Sequence, residues 1–264
     1  MFSEFLQYLF TGATIGATYA LIALGFTLIY NASHVINFAQ GEFVMIGGMT
    51  TVALTGMGMP MIVAVVLAVI LASVLGLALQ RLAIAPAKQA DVVTLIIITI
   101  GASIFIRGIA QVVWGKEYHS MPNFSATQSL EVFGAVLNSQ SLWVFGIGAV
   151  LVVALVLFFT RTLSGKAILA TSMNKEAARL VGIRTQVVLM LAFMVSAFLG
   201  SVAGIVVAPI TFTSYDIGII LGLKGFVAAA IGGLGSGVGA IVGGLALGIV
   251  EAMAAGYISS DYKD

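Results

Sequence analysis

Five stretches of this sequence are apolar over the length that crosses ~30 Å of hydrocarbon: Leu6–Tyr30, Pro60–Leu82, Val92–Trp114, Leu142–Thr160 and Val187–Pro209. One such run can be a buried core helix. Five of them in 264 residues leave no polar skin for a water-soluble globule. Charged residues make up 8% of the chain against the usual ~25%, and mean hydropathy is +1.16. The expected fold is an all-α polytopic membrane protein, with a single transmembrane domain over residues 1–264.

Two further stretches are less regular. Val35–Leu54 opens with the polar letters of "NFAQGEF", and Leu221–Tyr257 is split by "GGLGSGVGAIVGG" at Gly232–Gly244. Interrupted backbone at membrane depth is tolerated where protein buries it or where it lines a cavity. The expectation is therefore about 7–8 transmembrane or re-entrant helical segments, some broken at glycine, with Val35–Leu54 starting near the cytoplasmic face. Glycines recur four apart at Gly12/Gly16, Gly200/Gly204, Gly239/Gly243 and Gly244/Gly248. Such faces let helices approach closely in lipid, either within the bundle or against a second membrane subunit. The start, "MFSEFLQYLF", lacks a basic n-region and a nearby small-residue cleavage site, so the first span reads as permanent.

Of the eleven Lys and Arg, seven fall in two loops: Arg81 and Lys88 in one, Arg161, Lys166, Lys175, Arg179 and Arg184 in the other. The positive-inside rule makes both loops cytoplasmic. It follows that the N-terminus is extracytoplasmic, as is the loop of about 115–140 with Glu117, His119 and Glu131.

Several function classes are excluded. A net charge of +1 offers no phosphate-binding surface, so no nucleic-acid partner is expected. Zero cysteines rule out disulfides and thiol chemistry. No GxxxxGK[ST] loop or GxSxG motif occurs, and His34 and His119 stand far apart without metal-ligand spacing. The GxGxxA match at Gly235–Ala240 lies in an apolar span and reads as close packing or a break. No catalytic residue, metal or cofactor is expected, and the chain is not read as an enzyme.

One segment departs from this apolar character: "ATSMNKEAARLVGIRT", Ala170–Thr185. Asn174 or Ser172 can cap a short helix here, Glu176 sits in its first turn where an anion is favoured, and Gly182 is placed to end it. Ala177, Leu180 and Val181 make a small apolar stripe. A helix this short is marginal alone in water, so it packs either on its own bundle or on another protein. Glu176-Ala177-Ala178, three residues and then Gly182 resemble the EAA loop of bacterial ABC importer permeases. "GATYALIALGFTLIY" (Gly16–Tyr30), "VINFAQGEFVMIGG" (Val35–Gly48), the Gly232–Gly244 run and "SSDYKD" (Ser259–Asp264) are similar to the branched-chain amino-acid permeases, specifically the smaller of their two paralogous membrane subunits.

That resemblance implies a great deal. The chain would form the passage for branched-chain or other neutral amino acids in a bacterial inner membrane. Its partners would be a homologous second permease subunit, two ATP-binding ATPase subunits that hydrolyse the ATP, and an extracytoplasmic solute-binding protein. The loop of about 161–186 would couple to the ATPases through Asn174, Glu176, Ala177, Ala178, Leu180 and Gly182. The family continues past its "YKD" with one more hydrophobic helix, which is absent here after residue 264. Two transport alternatives remain open: a urea or short-chain amide ABC permease, whose N-terminal signature is close, and an ATP-independent channel or facilitator, which would have no use for an EAA-type loop. A non-transporting scaffold needs neither broken helices nor buried carboxylates.

Polar residues at membrane depth are candidates for the translocation path: Asn37, Gln40, Glu42 and Glu251. Glu42 either lines the path, holds a broken helix, or is satisfied by backbone amides. Glu251 is either paired across the bundle or faces water. Arg107, two turns from Trp114, is expected to snorkel outward, and Asp216 and Lys224 to sit at the outer interface. A lining mostly small and apolar suits low-affinity passage, with selectivity left to a binding protein.

Overall fold

A computed structural model describes residues 2–87, 90–125 and 129–259. Lys88 and most of the "SSDYKD" motif lie outside the described residues. The helices are α1 (Phe2–Ser33), α2 (Gln40–Gly56), α3 (Met61–Leu79, continued by a π-helical turn Gln80–Ile84), α4 (Val92–Trp114), α5 (Ser139–Arg161), α6 (Leu163–Met173), α7 (Lys175–Leu180), α8 (Thr185–Thr211), α9 (Ile217–Ile231) and α10 (Gly237–Tyr257). An antiparallel hairpin, β1 (Ser129–Val132) and β2 (Ala135–Asn138), joins α4 to α5. The polytopic all-α class is as expected. Among the described residues six helices are long and apolar enough to cross a membrane. The other two apolar helices, α2 with 17 residues and α9 with 15, rise only ~26 and ~22 Å at 1.5 Å per residue.

Burial sorts the helices into layers. The apolar window of α1 is 83% buried, whereas those of α4 and α5 are 6% buried. α1 is therefore the hub, packed by α10, α8 and α9, and α8 carries α2 and α3 on its other side. α4 and α5 turn Phe105, Val112, Val150 and Val153 outward, as helices bordering lipid do. Since lipid is as apolar as leucine, nothing is gained by burying bulk, and close van der Waals approach holds the interior instead. Ala64, Ala68, Ala72 and Gly76 form the buried stripe of α3. On the α1–α10 seam, a Cβ added at Gly16 would stand 2.8 Å from the Gly244 carbonyl oxygen, and one at Gly248 would stand 2.4 Å from the Gly16 Cα. Gly200 and Gly204 face α2, while Gly239 and Gly243 face Gly232 and Ala228. All four glycine pairs thus pack within this chain.

The bundle has two distinct ends. At one, Gln7 exchanges hydrogen bonds with the Val136 backbone at 3.1 and 2.7 Å, and His119 pairs through its backbone with Thr213. At the other stand α6, α7 and the arginines Arg81, Arg179 and Arg184, which border one open cleft of about 860 Å³.

Candidate functional site

The first constellation lies where α2 begins. After Ser33 the chain turns at His34 (φ 55°), and residues 35–39 lead back into the bundle rather than along its edge. Asn37 Oδ1 accepts the Ala39 N–H at 3.1 Å and shapes this return. Gln40 Nε2 donates to the Ser196 carbonyl at 3.1 Å, while Ser196 Oγ lies 2.6 Å from Gln40 Oε1 and 2.8 Å from the Gly25 carbonyl oxygen. Gly25 stands well inside α1 and Ser196 well inside α8. Residues 33–37 stand beside Lys175 and Arg179 of α7, and from there the chain turns inward, so that Gln40 is satisfied between α1 and α8 while Asn37 Nδ2 has no hydrogen-bond partner. A Cβ on Gly25 would sit 2.1 Å from Gln40 Nε2, so a larger residue there would displace the amide from this network.

α9 also starts in the interior, against α2. A Cβ on Gly41 would fall 1.9 Å from the Gly218 carbonyl oxygen, and one on Gly218 would fall 2.6 Å from that of Gly41. Two short helices therefore meet N-terminus to N-terminus and leave toward opposite ends of the bundle. Glu42, in the first turn of α2 and 1% exposed, stands at this meeting point. Its Oε1 accepts the Ser103 hydroxyl at 2.7 Å, and its Oε2 has no hydrogen-bond partner. Helix N-termini carry positive partial charge, which favours a carboxylate here. Arg107, one turn further along α4, adds a cationic field, so this half-buried arginine acts inward as well as toward the interface.

The second constellation answers the question of Glu251. Its carboxylate accepts from Lys224 Nζ at 2.9 Å and from the Tyr19 hydroxyl at 3.1 and 3.3 Å. Lys224 Nζ also lies 5.9 Å from the centre of the Tyr19 ring. With side chains only 16% and 10% exposed, this ion pair ties α9 to α10 across α1. Lys224 is not at the outer interface; the rotation of α9 that packs it against α10 turns the ammonium inward. Glu251 also borders a cleft of about 370 Å³ between α1 and α10, beside Tyr8, Thr11 and Gly256.

The third is α7. Asn174 Oδ1 accepts the Ala177 N–H at 3.0 Å, as a helix cap should. Gly182 (φ 89°) closes the helix, with Ile183 N–H donating to Ala178 O and Gly182 N–H to Arg179 O, both at 3.0 Å. Glu176 pairs with Arg179 at 2.9 Å on the exposed face. The Ala177–Leu180–Val181 stripe faces away from the bundle: Leu180 is 89% and Val181 77% exposed, with Met173 beside them at 88%, while Ala178 is the residue buried against the chain. This leaves a small apolar surface uncovered next to the arginine-bordered cleft. Sequence reasoning did not single out Ser196, Ser103 or Tyr19; isolated hydroxyls in apolar helices were the available signal.

The sequence matches the family model described as branched-chain amino acid transport system / permease component over residues 8–264. It is 35% identical to the high-affinity branched-chain amino acid transport system permease protein LivH of Escherichia coli K12, with 100% of this chain aligned to 90% of that protein. It is 32% identical to BraD, the corresponding permease protein of Pseudomonas aeruginosa, over 99% of this chain and 90% of that one. Among solved structures, PsaBC from Streptococcus pneumoniae in complex with Fab superposes with a TM-score of 0.50 at 18% identity, covering 98% of this chain and 88% of that chain. That is a likeness of fold.

Proposed function

We propose, because this chain belongs to the family of branched-chain amino acid transport permeases, that it lines the passage through which an ABC importer moves branched-chain or other neutral amino acids. The chain is the permease subunit of such an importer, a multi-pass membrane protein. Its partners are a homologous second permease, two ATPase subunits that hydrolyse ATP, and an extracytoplasmic binding protein that delivers the solute. The N-terminus is extracytoplasmic and α7 cytoplasmic.

The observation that carries the assembly is the surface of α7: a capped, polar-framed helix whose Leu180 and Val181 are left bare. Bare apolar side chains flanked by charges are what a partner's groove covers. ATPase closure presses on Asn174, Glu176, Ala177, Leu180 and Gly182, with Ala178 as the fulcrum against the bundle. The push reaches α8 directly, since Arg179 Nε donates to Thr185 Oγ1 at 3.2 Å. α8 in turn holds the start of α2 through Ser196 and Gln40. Asn37, Gln40 and Glu42 are thereby placed to move with the stroke. Glu251, held by Lys224 from behind, presents the α1–α10 cleft with its one carboxylate.

Co-purification from native membranes tests the reading. Wild type is expected to bring down an ATPase subunit, and Glu176→Lys plus Gly182→Leu to lose it while the permease stays folded. If no ATPase accompanies the wild type, the assembly is wrong and an ATP-independent facilitator takes its place.

A further inference from the structure

The α7 end of the bundle holds a pocket for which the importer reading has no task. It lies between the 33–37 segment, the π-helical turn, α4 and the starts of α7 and α8, with a volume of about 280 Å³. That is room for roughly nine water-sized groups at ~30 Å³ each. Several features mark it as built. Gln80 and Asn37 wall it, each 1% exposed, and Gln80 Oε1 and Asn37 Nδ2 are without a hydrogen-bond partner, a state that native proteins rarely leave unanswered. Gln80 opens the π-helical turn Gln80–Ile84, and such insertions are frequent at functional sites. Lys175 and Arg179 of α7 supply positive charge to the lining, while Leu189 and Phe193 of α8 make it apolar on another side. Arg179 shares its charge with Glu176; among the described residues no ion pair engages Lys175.

We propose that this pocket binds an aliphatic amino acid from the cytoplasmic side, and that its occupancy slows further import. The ligand class and sidedness rest on the importer reading above. An amino acid answers each feature: its carboxylate meets Lys175, Arg179 and the Asn37 amide, its ammonium donates to Gln80 Oε1, and its side chain lies against Leu189 and Phe193. A ligand so held bridges α7 to the π-helical turn and to the 33–37 segment. Because the ATPase stroke enters through α7, a ligand that binds the resting arrangement better than the driven one shifts the population toward rest. Accumulated product then limits its own uptake.

The test uses proteoliposomes carrying the complete importer. The initial rate of radiolabelled leucine import is compared with the interior empty and preloaded with unlabelled leucine. Preloading is expected to slow the wild type severalfold. In Gln80→Leu, import into empty vesicles is expected to stay unchanged; Lys175→Gln, which also borders the ATPase surface, is read as the ratio of its preloaded to its empty rate. The internal leucine needed for half-slowing should rise about tenfold, the weight of one charge-assisted hydrogen bond. Preloaded isovalerate, which lacks the ammonium, should not slow import; equal slowing by isovalerate would overturn recognition of an amino acid. A wild type indifferent to internal leucine, or variants that keep the full slowing, overturns the proposal. Equilibrium dialysis of leucine against the purified importer separates this inference from the importer reading. Binding lost in both variants supports the pocket even where leucine is not the transported solute, and import without such binding sinks the pocket alone.

Discussion

Replacing Lys224 by methionine isolates the energetics of the one ion pair seen between two apolar helices among the described residues. Glu251 accepts from Lys224 and Tyr19, so Lys224→Met leaves its carboxylate with the tyrosine hydroxyl alone. Both charged side chains are at least four-fifths buried, and solvent screening is correspondingly weak. Breaking a buried pair by removing one partner costs about 3–5 kcal/mol, whereas replacing both partners by apolar groups is often nearly neutral. The single variant should therefore lose about two to four orders of magnitude in its folding equilibrium, and Lys224→Met/Glu251→Met should recover most of that loss. The assay is a double-mutant cycle of unfolding in mild detergent, with Glu251→Met as the fourth corner. The expected coupling is at least ~2 kcal/mol. A double variant as unstable as the sum of the singles would refute the reasoning, because the pair would then contribute nothing as a pair. Uptake by the stable double variant separately tells whether the two charges serve transport.

Other perturbations follow from the same packing. Gly248→Val drives a Cβ into the Gly16 backbone at 2.4 Å and should destabilise by about 1–3 kcal/mol or more, read as a lower midpoint in thermal unfolding. Ser196→Val strips Gln40 Oε1 of its donor and should cost about 1–3 kcal/mol; faster amide exchange at the start of α2, with the α10 amides unchanged, would verify it. Asn174→Ala removes the α7 cap, worth ~1 kcal/mol, and should weaken ATPase association without lowering permease thermostability. Outside the membrane, the Thr94 hydroxyl beside Asp91 holds its carboxyl below the ordinary carboxylate range. Its contribution to the start of α4 is therefore present above the unfolded carboxylate pKa of ~3.9 and fades as pH falls through the lowered folded value. Amide exchange at Val92–Thr94 during acid titration checks the sign, and protection that rises on acidification contradicts it.

How much was legible in the sequence depended on how local the cause was. The cap at Asn174 and the stop at Gly182 were readable because each acts within four residues of itself. The long spans were readable because hydrocarbon thickness sets their length. The side on which α7 leaves Leu180 bare was not, since spacing gives a stripe but not the direction it faces. Lys224 was misplaced for the same reason: its partner lies 27 residues away, and only the rotation of α9 against α10 brings them together. The polar letters of "NFAQGEF" marked an interrupted segment at membrane depth, but their partners lie far along the chain and spacing alone does not name them. The segment's hydrogen bonds to other helices go to Thr99 and Ser103 of α4 and to Ser196 of α8.

The non-locality of α2 bears on how the protein is made. Gln40 finds its partner 156 residues downstream, and Glu42 waits for Ser103, 61 residues on. At ~5–20 residues per second, a ribosome needs roughly 8–30 seconds after α2 emerges before Ser196 exists. During that interval a short helix bearing a carboxylate and an amide has no home in the bilayer. Biogenesis must therefore shelter α2, in the insertion machinery or at the membrane surface, until α8 arrives, and that delay is the point where assembly of this subunit is most open to interception by quality control.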